Sequence, residues 1–230
     1  VFSLMAVVTG TQGIGVLVSL FSMVALIYFC MFVLIYIVYG SILLFYCRIN
    51  PLPFFRKMLE VQLVAFGTSS SAATLPLNIN TSVKKLGISA SMSQFLLPLG
   101  ATINMNGLST YMGVIAVFAA NVYGIELGLM ELIKITAAST LAAIGCAGVP
   151  AAGLVVIPIV LSSVGIPMSI IGVFVAVNRI IEMISTVANI TGDTLAAVII
   201  SKSENEIDLD IYNNSNVLDT IQSPDSVISV

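Results

Sequence analysis

The chain has 230 residues, of which 58% are apolar and 8% charged, with a formal net charge of −3 and no histidine. A soluble domain carries about 25% charged residues, so a water-soluble core with a charged surface is excluded, and His-based catalysis and His metal centres go with it. Nothing is basic enough to suggest nucleic acid, and Cys30, Cys47 and Cys146 are odd in number with neither a disulfide framework nor a metal spacing.

Val1 begins in mid-hydrophobic segment, with no initiator Met and no signal-peptide region, which is expected of a piece of something longer. Residues 1–47 contain no Asp, Glu, Lys or Arg. A spanning helix needs about 20 mostly apolar residues, so Val1 to Val8 reads as the end of one helix and Val16 to Cys47 as one long span. Arg48 to Gln62 carries charges, with Pro51 and Pro53 expected to break the helix. Residues 63–82 then form two short apolar pieces around the polar tip Gly67-Thr68-Ser69-Ser70-Ser71. Neither piece is long enough to cross a ~30 Å hydrocarbon core, which predicts a helical hairpin that enters and leaves by one side.

Residues 86–120 read as a span interrupted at Asn104-Met105-Asn106-Gly107. Residues 132–165 repeat the hairpin form, with a tip at Gly145 to Pro150, and residues 169–200 form a last span containing Arg179, Glu182 and Asp193. Residues 201–230 hold one Lys against six acidic residues and few aromatics, so they are expected to be a disordered, acidic cytoplasmic tail. Residues 48–200 would then be the working core. If both hairpins are re-entrant, Arg48, Arg56, Lys57, Lys84, Lys85 and Lys202 fall on one face and only Lys134 on the other. The positive-inside rule makes that face cytoplasmic. Hairpin followed by span occurs once from each side, the layout of an inverted repeat, whose paired interruptions point to a midplane binding site. The fold class is thus all-α and membrane-embedded.

On the last span, Asn178, Glu182, Ser185, Thr186, Asn189 and Asp193 fall within an arc roughly 100° wide at about 100° per residue. A carboxylate at the centre of a membrane helix costs at least ~2.5 kcal/mol, so two on one stripe call for a cation, a proton or a polar partner. A hydrogen-bonded helix seam is the plainer alternative. The Asn104–Gly107 break frees carbonyls suited to Na⁺, or is a glycine kink. The Ser69–Ser71 tip offers hydroxyls and helix-end amides to an anionic group, or packs as small residues. Gly145 to Gly153 offers only backbone, as a lid or as tight packing.

Ser-Ser-Ala-Ala-Thr-Leu-Pro (70–76), Pro-Leu-Gly-Ala-Thr-Ile-Asn-Met-Asn-Gly (98–107), Ala-Gly-Val-Pro-Ala-Ala-Gly (147–153) and Asn-Ile-Thr-Gly-Asp (189–193) resemble, in order and spacing, the signature motifs of the dicarboxylate/amino acid:cation symporters, the glutamate-transporter family. The resemblance covers residues 1 to about 205. The inverted-repeat rule itself rests in part on an archaeal member of this family. The resemblance implies a homotrimer in which a transport domain moves like an elevator against a fixed scaffold. This chain would supply the end of the fifth helix and the sixth (1–47), then the two hairpins and the seventh and eighth helices, the first four helices being absent.

Carried over by position, a sodium site would use Gly100, Asn104, Asn189 and Asp193, and a second, mainly backbone site Thr102, Met105, Gly145 and Cys146. Substrate contacts would come from Ser71, Gly148, Val149, Glu182, Ser185, Thr186 and Asn189. Three positions depart from the family pattern: Asn106 stands for an Asp that serves another sodium site, Glu182 for an Asp that grips the substrate amino group, and Ser185 for the Arg of acidic-substrate members.

The expected function is secondary active symport into the cell, coupled to Na⁺ and needing no other cofactor, of a small neutral amino acid. The partners are that small molecule and the lipid bilayer, in a multi-pass protein of the inner or plasma membrane. An acidic amino acid or dicarboxylate moved with H⁺, its second charge met by Arg179 or by a residue from the missing half, is the alternative, as is a non-transporting fragment of a split gene. An intramembrane enzyme is disfavoured, since Gly192-Asp193 has no second membrane Asp and the serines have no activating His.

Overall fold

In the computed structural model, Gly10 and residues 14–214 are described, so the expected helix end at residues 1–8 lies outside the described residues. Every named element is helical. Helix α1 opens as Ile14–Phe32 and runs on through two π-helical stretches, Val33–Val38 and Ile42–Tyr46, joined by Tyr39–Ser41. Its Phe21, Phe29 and Phe45 are exposed while Ile27, Met31, Ile35 and Leu43 are buried, the split of a helix with lipid on one side and protein on the other.

Helices α2 (Pro51–Thr68) and α3 (Ser71–Lys84) meet at Ser69 and Ser70. The first arm is longer than the expected hairpin at 63–82, because Pro51 and Pro53 open the helix instead of breaking it. The missing N–H of Pro costs nothing in the first turn, and the Asn50 side chain caps the end by accepting from Leu52 N at 3.0 Å. The interrupted span is α4 (Ala90–Ile103) and α5 (Asn106–Val122), with only Asn104 and Met105 unwound between them. Gly107 therefore belongs to α5 and not to the break. Helices α6 (Leu129–Ile144) and α7 (Gly153–Ser163) flank the second tip. A 3₁₀ turn at Met168–Ile170 leads into α8, Ile171–Ser203.

Among the described residues, three segments are long and apolar enough to cross a membrane: Val18–Tyr46, Ala90–Val122 and Met168–Ser203. Helices α3, α6 and α7 have 14, 16 and 11 residues. At 1.5 Å per residue they rise only about 21, 24 and 17 Å. Helix α8 is the hub, in contact with α1, α2, α3, α4, α5 and α7. Its apolar side, including Phe174, Ile181, Ala188, Ile190 and Val198, is buried with the rest of the core.

The expectation of a disordered tail over residues 201–230 is corrected for residues 201–214. Helix α8 runs to Ser203, and after it a strap folds back: Ile207 bridges Ile88 in antiparallel fashion, and α9 (Leu209–Asn213) is capped by Asp208. Two apolar side chains that composition averaging ignored, Ile207 and the buried Tyr212, have a surface to land on. The buried Lys57 ammonium of α2 donates to Lys85 O (2.9 Å), Ile211 O (2.7 Å) and Tyr212 O (2.7 Å). Gly87, at φ +74°, lets the strap pass so close that a Cβ there would strike the Asp208 carbonyl. Residues 215–230 lie outside the described residues.

Candidate functional site

The polar stripe of α8 faces inward throughout: Asn178, Glu182, Ser185, Thr186, Asn189 and Asp193 are all buried. What meets it is the break between α4 and α5 on one side and the two tips on the other. Asn189 Oδ1 accepts from Gly107 N at 2.7 Å and Asn189 Nδ2 donates to Met105 Sδ at 3.2 Å. A Cβ on Gly107 would collide with the Ser185 carbonyl, so the glycine allows α5 to sit directly on α8. Thr186 returns its hydroxyl to Glu182 O at 2.8 Å, a local bond that leaves the stripe's carboxylates free to reach elsewhere.

Ser71, Gly148, Val149, Glu182, Ser185, Thr186 and Asn189, all seven residues expected at a substrate site, line one cavity of about 30 Å³. That is room for roughly one or two water molecules. The two tips close it. Ser70 Oγ and Ala72 N of the first tip donate to the Gly148 carbonyl of the second at 2.9 and 3.1 Å. The one charged residue in the lining is Glu182, whose carboxylate accepts from Ala151 N at 2.8 Å and Gly153 N at 3.4 Å.

Leu108 and Tyr111 also line the cavity and were missed from the sequence; Ser69, part of the expected polar tip, lines it with them. On α5, Leu108 and Tyr111 stand one and four residues after Gly107, which packs on Ser185, so the helical repeat of that helix could have found them. The Tyr111 hydroxyl is buried with no hydrogen-bond partner among the described residues.

Deeper along α8, Asp193 is buried to 1% exposure. Its Oδ1 accepts from Asn104 Nδ2 at 2.9 Å, while Oδ2 has no partner among the described residues. A Cβ on Gly100 would stand 2.8 Å from Asp193 Oδ1, so the backbone of α4 lies against the carboxylate. Gly100, Asn104 and Asp193 are thus brought together, with Asn189 one turn of α8 away. An unpaired buried carboxylate oxygen is costly unless a cation or proton meets it.

Asn106, the position that departs from the family's acid, donates to the Tyr39 hydroxyl at 3.1 Å. Tyr39 in turn donates to Ala188 O at 3.4 Å. Of the second expected sodium set, Met105 and Cys146 are buried and line the cavity, whereas Thr102 and Gly145 are exposed. The Thr102 hydroxyl bonds back to Leu99 O at 2.8 Å. Arg179 is exposed and does not line the cavity; its guanidinium donates to Gly67 O at 3.2 Å and Thr68 O at 3.5 Å.

The chain is 40% identical over 161 residues to excitatory amino acid transporter 4 of Mus musculus, covering 70% of this chain and 29% of that protein. It is 43% identical over 152 residues to excitatory amino acid transporter 5 of Mus musculus, covering 66% and 27%. To excitatory amino acid transporter 1 of Homo sapiens it is 41% identical over 153 residues, covering 66% and 28%. The chain therefore spans less than a third of the length of these relatives. Residues 1–203 match the sodium:dicarboxylate symporter family. The chain belongs to that family, one of integral membrane transporters and not of enzymes.

Proposed function

We propose that the full-length protein is a secondary symporter that carries a small neutral amino acid into the cell with sodium. The observation that carries this reading is the convergence of residues from both tips, the α4–α5 break and α8 on one closed cavity whose single charged lining residue is Glu182. A carboxylate suits the ammonium of an amino acid. A second substrate carboxylate would find no basic side chain in the lining, and burying it unpaired would cost several kcal/mol.

The relatives are named excitatory amino acid transporters, which favours an amino acid. It also keeps an acidic substrate as the second reading, with H⁺ as a possible coupling ion. Arg179, the nearest candidate to meet a side-chain carboxylate, is engaged with Gly67 and Thr68 outside the cavity. Competition decides between the readings: serine or alanine should inhibit uptake by the full-length protein strongly. Inhibition by aspartate with none by serine or alanine overturns the neutral reading.

In this reading Asp193, with Asn104 beside it and Gly100 and Asn189 adjoining, receives the coupling sodium. The second, mainly backbone sodium site at Thr102, Met105, Gly145 and Cys146 is proposed by resemblance; Thr102 and Gly145 are exposed even with the tips closed, so an ion there would have to draw them in. Asn106 supplies no charge, so fewer sodium ions are expected than in relatives with an acid there. Asp193→Asn removes the only formal negative charge of its site and should strongly weaken the sodium dependence of uptake. Uptake that ignores sodium and follows a pH gradient would overturn this, pointing to Glu182 as proton carrier.

The short paired helices α2–α3 and α6–α7 are read as re-entrant hairpins of a mobile transport domain, opening to the cytoplasm and the exterior respectively. The full-length protein is read as a homotrimer working by an elevator motion. Labelling of Arg56 and Lys84 positions from opposite faces of the membrane would sink that topology.

A further inference from the structure

The cavity described above must open to admit anything larger than water, and the geometry points to what keeps it shut. We propose that Glu182 is a latch: its carboxylate is itself the ligand of the second tip's amides and holds that tip down over the cavity. The proposal rests on the reading of this cavity as the substrate site.

The second tip has little else to hold it. Residues 145–152 are Gly, Cys, Ala, Gly, Val, Pro, Ala and Ala, and Ala152, at the N-terminal boundary of α7, offers no side-chain cap. The first turn of a helix leaves its N–H groups without partners. Here Glu182 takes Ala151 N at 2.8 Å and Gly153 N at 3.4 Å from a helix remote in sequence, placing negative charge at the positive end of α7. Ala151 is held at φ +66°, a left-handed conformation that a non-glycine residue adopts only when its surroundings impose it. The bond from its own N–H to Glu182 is such a constraint. Among the described residues, the other clasp on the tip is the Gly148 carbonyl, which accepts from Ser70 and Ala72.

The latch depends on the length of the side chain. An Asp at this position is shorter by one methylene, about 1.5 Å of reach, which takes the carboxylate out of hydrogen-bonding distance while keeping its charge in the cavity. Glu182 therefore sets a threshold for opening that an Asp would not impose.

Cys146, buried in the tip and part of the cavity lining, is the natural reporter. The experiment uses the full-length protein in vesicles, with Cys146 as its only cysteine, and follows its reaction with a maleimide in buffer free of sodium and amino acids. A matching protein with Cys47 as its only cysteine, buried at the far end of α1, reports general loosening. Glu182→Asp should speed labelling of Cys146 on the order of tenfold or more, the ratio expected for loss of even one of the two charge-assisted hydrogen bonds, with Cys47 unchanged. Glu182→Gln keeps an acceptor oxygen without the charge and should speed it roughly threefold, since neutral bonds are about half as strong.

Equal Cys146 rates in the parent and both variants overturn the latch, and so does equal acceleration of Cys47 and Cys146. The readout needs no transport, so failure of the symport reading would leave the labelling result standing, and failure of the latch would leave uptake untouched as evidence for symport.

Discussion

The two helix pairs that close the cavity are built alike and held differently. The first tip is two residues long and caps its own helix. Ser69 turns the chain at φ +52°, the Ser70 hydroxyl caps α3 by accepting from Ala73 N at 3.1 Å, and Thr68 meets Thr74 at 3.3 Å. Its base is clamped as well, by Lys57 and the strap that ends in α9. The second tip, between Ile144 and Gly153, has no capping side chain of its own and borrows Glu182 from α8. Local capping thus fixes one wall of the site, while the other is held by bonds that a rearrangement within the cavity can break.

Glycine substitutions should separate the walls most sharply. A Cβ at Gly153 would fall on the buried Tyr111 hydroxyl, whereas one at Gly67 meets nothing within 4 Å. Gly153→Ala should disfavour the closed second tip by about 1–3 kcal/mol, the usual range for overpacking, seen as a fall in uptake and faster labelling of Cys146. Gly67→Ala should leave both unchanged and raise stability by up to ~1 kcal/mol, because glycine weakens a helix interior. Similar losses from the two would erase the distinction between the walls.

The clamp at the base of the first pair comes next. Lys57→Met removes the donor from three carbonyls, Lys85, Ile211 and Tyr212, and should cost roughly 1–3 kcal/mol. Thermal unfolding of the full-length protein would register the loss, and limited proteolysis should find new cleavage between residues 204 and 214. Intact protection there would mean that the buried Tyr212 and the Ile88–Ile207 bridge hold the strap without the lysine.

The smallest effect is expected at the first tip itself. Ser70→Ala removes a helix cap worth about 1 kcal/mol and one of the two bonds to Gly148. A modest fall in thermal stability with a small rise in Cys146 labelling is expected. A rise as large as that of Glu182→Asp would mean that the contact between tips, and not Glu182, dominates closure.

Much of this was readable from the residues because the bilayer leaves few options. Runs without charge had to be helical, since backbone polar groups in hydrocarbon must be satisfied within the segment. Polar residues kept inside such runs had to share a face, so the buried stripe from Asn178 to Asp193 followed from period alone. The tips followed from their Ser and Gly content. Misreadings came where one residue type serves two purposes. Pro51 and Pro53 looked like breakers and are helix openers, a choice made by the Asn50 cap. The acidic segment after Ser203 looked solvated, because composition cannot say that Ile207 and Tyr212 have a surface to bury against.

By itself, then, the sequence determined the all-helical membrane architecture, the interrupted span and the inward stripe of α8, because period and polarity are local properties. Only the tertiary structure decided which groups answer one another across distance. Arg179 binds the outside of the first tip, Asn106 pairs with Tyr39, and Glu182 reaches the amides of Ala151 and Gly153. Those pairings join positions far apart in the chain, and hydrogen bonds made over a few ångströms leave no period in the sequence to read.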